Sequence, residues 1–109
     1  MNVLSSLAEN RPVAARPPEA YYQGMPEISR FLGIVIAMYY REHAPPHFHA
    51  LYGEYQITVA IETGVVEGRF PKRALGHVLE WCELHRDELL EDWRLARERK
   101  PLNWLPPLE

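Results

Sequence analysis

Hydrophobic positions become regular after residue 24 and form short runs of the size of β-strands. Residues 34–40 are β-branched and aromatic without alternation, which is typical of a strand covered on both faces. Residues 47–51 can form a second strand, and a tight turn at Gly53 leads into a third at residues 55–61. The pattern therefore predicts a sheet built from sequence neighbours.

The third predicted strand alternates, and a fourth segment follows it. One face of the third strand carries Tyr55, Ile57, Val59 and Ile61, and the other carries Gln56, Thr58 and Glu62. We expect the first face to be core and the second to be partly wet. Residues 65–70 follow a turn at Thr63 and Gly64 and end at Pro71, because proline donates no ladder hydrogen bond. The sequence thus predicts an antiparallel β-meander of three to four strands.

A helical period replaces the strand pattern after Pro71. A helix is predicted over about residues 72–85, and its apolar face comprises Leu75, Val78, Leu79 and Cys82. Acidic Asp87 and Glu88 favour the start of a second helix, which Pro101 would end. A single bent helix is the alternative. The predicted fold class is α+β, with the meander followed by one or two C-terminal helices, and residues 25–109 form a single domain.

The first 24 residues lack any clear period and contain three prolines, Pro12, Pro17 and Pro18. This composition predicts a flexible N-terminal arm. Two alternatives stay open: that the biological start is Met25, so that the arm is a mis-called extension, or that Tyr21 and Tyr22 pack the arm on the domain.

Composition narrows the class of protein. The 109 residues carry a formal charge of -3 with an isoelectric point near 5.9, which argues against the strongly basic field of sequence-independent nucleic-acid binding. A single cysteine, Cys82, excludes an internal disulfide. No apolar run approaches the roughly 20 residues of a membrane span, and no secretory pattern opens the chain. We therefore expect a cytoplasmic protein.

The densest group of chemically active side chains runs from the loop after the first predicted strand into the second strand, where three of the five histidines fall within seven residues. If residues 47–49 are extended, His47 and His49 project from one face, and His43 can approach across a loop stiffened by two prolines. Three imidazoles with an open fourth position suit zinc or a similar divalent ion. A purely structural role for these histidines is the competing interpretation.

An acid-base role is the third interpretation of the same loop. His47 and His49 could act as base and acid, with Arg41 as a cation near a phosphate, in a metal-independent ribonuclease that uses the 2′-hydroxyl of RNA. The overall acidity of the chain weighs against this hypothesis.

The C-terminal tail after Pro101 is unusually apolar. Trp104, Leu105 and Leu108 lie among further prolines and must be covered by the domain itself or by a partner.

The motifs of residues 25–108 resemble a known bacterial family. The resemblance is carried by Met25-Pro26, by Ile28 to Phe31, by Gly33 to Ile36, by Met38 to Tyr40, by His43 with Pro45 to Ala50, by Glu62 to Gly64, by Pro71 to Leu75, and by Trp81, His85 to Leu90 and Trp93. The chain thereby resembles the family called domain of unknown function 4160. Its most specific part is the proline-histidine loop.

This resemblance implies a protein partner and does not point to a particular enzymatic reaction. Members of that family are typically encoded beside another small protein, of the family called domain of unknown function 2442, an arrangement similar to a toxin-antitoxin module. The leading hypothesis is therefore a toxin-like or partner-binding component, with Trp104, Leu105 and Leu108 as its partner-binding residues. The alternative is a His-loop enzyme, either a metal-binding hydrolase or a metal-independent ribonuclease. RNA and a second copy of the chain are further candidate partners.

Overall fold

The computed structural model describes residues 26–109, so the arm predicted at residues 1–24 lies outside the described part of the chain. The strands are β1 (Glu27–Phe31), β2 (Ile34–Ala37), β3 (His47–Tyr52), β4 (Tyr55–Ala60) and β5 (Val66–Arg69). The helices are α1 (Lys72–Leu84) and α2 (Arg86–Arg97). The structure thus confirms an α+β fold in which the sheet precedes the helices.

The five strands lie in one sheet in chain order, and every neighbouring pair is antiparallel. This is the predicted meander with one strand more than the predicted maximum of four. The additional strand is β1, which pairs with β2 through a bulge between Glu27 and Ser29. The bulge lets Ile28 and Ser29 both be buried, which removes the alternation that marks a strand in sequence.

One face of the sheet carries the hydrophobic core against the helices. Phe48 on β3 packs edge-on against Trp81 of α1, with ring centroids 5.7 Å apart, and Phe31 approaches the same indole at 5.4 Å. On β4, Ile57 and Val59 are buried as the alternation predicts. Tyr55 is the exception on that predicted face, because it follows the tight β3–β4 turn and is exposed.

Two helices, and not one bent helix, follow the sheet. His85 separates them with a non-helical backbone (φ -122°, ψ 26°), and its carbonyl already accepts the amide of Leu89. The second helix ends at Arg97, before Pro101, and Arg99 adopts a left-handed conformation with φ 59°. Neither helix within residues 26–109 is long and apolar enough to cross a membrane.

The C-terminal tail folds back on the free edge of β1. The amide of Leu105 donates to the carbonyl of Ile28 at 2.8 Å, and the Ser29 hydroxyl donates to the carbonyl of Leu105 at 3.0 Å. The indole Nε1 of Trp81 donates to the Pro106 carbonyl at 2.8 Å. Three hydrogen bonds therefore fasten the tail to the sheet edge and to α1.

Candidate metal centre

The loop between β2 and β3 is fixed at both of its ends. The amide of Arg41 donates to the carbonyl of Ala96 on α2 at 3.3 Å, and the amide of Ile61 donates to the carbonyl of Pro46 at 2.9 Å. The peptide bond between Ala44 and Pro45 is cis. The loop that leaves β2 is therefore anchored first to the last turn of α2 and then beside the start of β3.

This path brings three side chains to one point: Glu42 from the loop, and His47 and His49 from β3. Their ligand atoms all lie within 4.8 Å of one another. Glu42 Oε1 is 2.8 Å from His47 Nε2 and 3.0 Å from His49 Nε2. The two histidines share a face of β3 because they are two residues apart, where they stand opposite Ala60 and Thr58 of β4.

The hydrogen bonds of His47 fix where its proton lies. Its Nδ1 is 2.7 Å from the Pro45 carbonyl, which can only accept, so Nδ1 carries a proton. In the neutral ring the other nitrogen, Nε2, is then a lone pair. That lone pair faces a carboxylate oxygen at 2.8 Å, so a second proton or a cation must lie between the two acceptors.

His49 has the opposite arrangement. Its Nδ1 lies 3.5 Å from the amide nitrogen of Gln56, a donor at the outer limit of hydrogen-bond distance. With Nδ1 as acceptor, Nε2 carries the proton and donates to Glu42. Glu42 thus accepts a hydrogen bond from His49. Its contact with His47 is favourable when a proton or a metal ion lies between Oε1 and Nε2.

Aromatic rings surround the imidazoles. Tyr39 meets His49 edge-on with ring centroids 4.4 Å apart, and the indole of Trp93 on α2 lies 5.1 Å from the ring of His47. His49 is only 6% exposed, whereas Glu42 and His47 are partly open to solvent. The cluster therefore has a packed side and a wet side.

Sequence analysis identified part of this cluster. His47 and His49 lie together as their spacing predicts, but His43 is exposed and lies outside the group, with its ring 6.4 Å from that of His47. Glu42 takes the third place, which the spacing of the histidines does not indicate. Arg41 is exposed beside the cluster with a left-handed backbone (φ 59°). Metal binding by any of these residues stays a prediction.

The three tail residues predicted to bind a partner are in different environments. Leu105 is buried at 3% exposure, and Leu108 is partly buried against the same core, so this domain itself covers the first side chain and part of the second. Trp104 is 56% exposed. A role in partner binding stays a prediction, and the structure leaves the indole of Trp104 accessible for it.

A buried carboxylate lies apart from the cluster. Asp92 of α2 is fully buried, and its Oδ1 accepts the amide of Asn103 in the tail at 2.9 Å. Within residues 26–109, Oδ2 accepts no hydrogen bond. Burial raises the pKa of Asp92 to about 6, and the carboxylates of Glu91 and Glu88 add to the rise.

The donor set of the cluster is that of known metal centres. Two imidazoles with one carboxylate bind zinc and other divalent transition metals and leave coordination positions open for water or substrate. The bond from His47 Nδ1 to a backbone carbonyl is the usual outer support of a metal-ligating histidine, because it orients the ring and fixes the tautomer.

Comparison with protein families gives one match. The profile described as Domain of unknown function (DUF4160) matches residues 33–94, which is more than half of the chain and includes all three residues of the cluster. Comparisons with curated proteins and with solved structures give no significant match.

Proposed function

The chain belongs to the DUF4160 family, and we propose that it binds a divalent metal ion such as zinc through Glu42, His47 and His49 for use in a hydrolytic reaction. The observation that carries the proposal is the convergence of these three side chains, in which Glu42 Oε1 lies 2.8 Å from His47 Nε2 and 3.0 Å from His49 Nε2. A divalent ion at this point would bind all three ligand atoms, with the proton of His49 moved from Nε2 to Nδ1, because only an unprotonated imidazole nitrogen binds a metal.

The number of protein ligands favours a catalytic over a structural centre. Structural zinc sites are usually closed by four protein ligands, whereas catalytic sites use three and keep a position for water. When bound, such an ion polarises a substrate and activates water. This chain's contribution is to orient His47 through the Pro45 carbonyl and to shield His49 beneath Tyr39, which leaves the side of Glu42 open to solvent.

The test is metal content and affinity in protein purified without a histidine tag. Elemental analysis should give close to one zinc per chain after dialysis against zinc. His47→Ala and His49→Ala should each weaken zinc affinity by about 100-fold or more, since each removes one of three ligands. Isothermal titration calorimetry would measure this loss.

Two controls make the result specific. His43→Ala removes the loop histidine that lies outside the cluster, and His77→Ala removes a histidine from α1. Both variants should bind zinc like the wild type. Equal losses in all four variants would indicate nonspecific histidine binding, and a wild type without zinc would refute the proposal.

Metal-independent cleavage of RNA is the rival function of the same side chains. The close contacts that join His47 and His49 through Glu42 favour it, because a proton can pass between the two rings along them. RNA cleavage that persists in excess EDTA and disappears in His47→Ala would favour the ribonuclease over the metal enzyme.

Partner binding, with a toxin-antitoxin-like module as its setting, is a second and independent proposal. It is supported by the exposed indole of Trp104. The residues on either side of Trp104, Asn103 and Leu105, are hydrogen-bonded to the domain. Co-expression with the product of the neighbouring gene, followed by size-exclusion chromatography, would test it. A complex that Trp104→Ala weakens would support this function, and a chain that stays monomeric would count against it.

A further inference from the structure

Trp93, which forms one wall of the candidate metal centre beside His47, also contacts the cation of Arg97. Arg97 lies one helical turn after Trp93 on α2, and its Cζ is 5.9 Å from the centroid of the indole ring. The same indole packs against His47 at 5.1 Å. Two successive ring contacts therefore connect the guanidinium of Arg97 to a proposed metal ligand, and the cation-π contact restrains that guanidinium.

A second arginine lies at the same corner, where it is held through its backbone. The amide of Arg41 donates to the carbonyl of Ala96, the residue before Arg97. Arg41 also directly precedes Glu42 in the chain. The loop and the last turn of α2 thus hold Arg41 and Arg97 on the side of the fold where the proposed ligands converge.

These two cations differ from Arg94 and Lys100 in their charge partners. Arg94 forms ion pairs with Glu91 and Glu98, and Lys100 also pairs with Glu98. Within residues 26–109, neither Arg41 nor Arg97 forms an ion pair, and both are exposed. Their guanidinium groups are therefore available to a ligand.

The net charge expected at the metal-bound centre indicates that the ligand is an anion. A divalent ion held by one carboxylate and two neutral imidazoles leaves a net positive charge, and two arginines nearby increase it. Guanidinium groups bind phosphate oxygens through paired N–H donors, and open metal positions bind oxygen as well. Both features favour a phosphate group bridging from the metal toward the arginines.

We propose that the Glu42, His47 and His49 centre takes a phosphate-bearing ligand, which Arg97 and Arg41 bind beside the metal. The inference rests on the proposed metal function. It adds the class of ligand and assigns Arg97, a residue that neither the loop motif nor the cluster itself identifies.

The experiment uses the full chain loaded with cobalt(II), whose visible absorption reports changes at the metal. Inorganic phosphate is the probe, and acetate is the comparison anion. Phosphate should change the cobalt spectrum at lower concentration than acetate. Arg97→Gln should weaken phosphate binding about tenfold, the usual cost of losing a charge-assisted hydrogen bond. Arg97→Lys should restore part of the affinity.

Arg94→Gln is the matched control, because it removes a cation of the same helix that is already paired with acids. It should leave phosphate affinity unchanged. The proposal is overturned if the cobalt protein ignores phosphate, if acetate binds equally well, or if the Arg97 and Arg94 variants behave alike. Each of these results leaves metal binding intact, whereas failure to bind cobalt at all refutes the metal function itself.

Discussion

Two proline-containing segments outside the helices and strands, the β2–β3 loop and the C-terminal tail, use their side chains in opposite ways. The tail places Leu105 in the core and bonds its backbone to β1 and α1. The loop bonds its backbone to α2 and to the residue after β4, and its polar Glu42 meets two histidines at the surface. The tail completes the hydrophobic core, whereas the loop brings ionisable side chains together.

The carboxylates next to the two segments also differ in how many hydrogen-bonding partners they have. In the loop cluster, Glu42 Oε1 contacts two imidazole nitrogens, and each ring also has a contact at its other nitrogen. Beneath the tail, Asp92 has one bonded oxygen and one without a partner in residues 26–109. A connected group of ionisable side chains on a wet rim can serve a ligand, whereas an isolated buried carboxylate mainly affects stability.

The largest effect is expected from shortening the apolar anchor of the tail. Leu105→Ala should lower the free energy of unfolding by about 2 to 5 kcal/mol, since a fully packed leucine is replaced by a cavity. Urea denaturation followed by tryptophan fluorescence would measure it. Leu84→Ala, at an exposed leucine ending α1, is the matched control and should change stability by less than about 0.5 kcal/mol.

Zinc should stabilise the protein through the loop and not through the tail. At a free zinc concentration about 100 times the dissociation constant, binding should add about 2.7 kcal/mol to the free energy of unfolding. Glu42→Gln should remove most of this gain, because it removes the only anionic ligand of the cluster. Leu105→Ala, although less stable, should gain as much from zinc as the wild type. A zinc response that fails in the tail variant and survives in Glu42→Gln would reverse the roles assigned to the two segments.

The buried carboxylate of Asp92 should make stability depend on pH. Because burial raises the pKa of Asp92 from 3.8 to about 6, the folded state holds this proton more tightly than the unfolded chain does. The contribution of Asp92 to stability is therefore largest below pH 4 and is lost as the pH rises through about 6. Relative to Asp92→Asn, the wild type should gain about 1 kcal/mol between pH 7 and pH 5. Parallel pH profiles for the two proteins would contradict this expectation.

Local patterns predicted most of the sheet, while contacts between distant segments decided the rest. Alternation located β4, and a spacing of two placed His47 and His49 on one face. The bulge concealed β1 because it buries Ile28 and Ser29 in succession. In the loop, spacing does not show whether residue 42 or 43 turns toward β3.

The path of the loop makes that choice. Its turn at Arg41 has a left-handed backbone and is fixed by the Ala96 carbonyl, and Glu42 is the residue that reaches the histidines. Since Ala96 is distant in sequence, no local pattern contains this information. The same holds for Leu105, whose apolar character predicted that it would be covered but not what would cover it.

The smallest effect on folding is expected at Trp104, beside the residue with the largest. Its indole is 56% exposed, so Trp104→Ala should change the free energy of unfolding by less than about 0.5 kcal/mol, as measured by urea denaturation followed by circular dichroism. The variant should also bind zinc normally, because Trp104 belongs to neither the cluster nor its wall. A loss of several kcal/mol would show that the whole tail, including its exposed side chain, is needed for the fold.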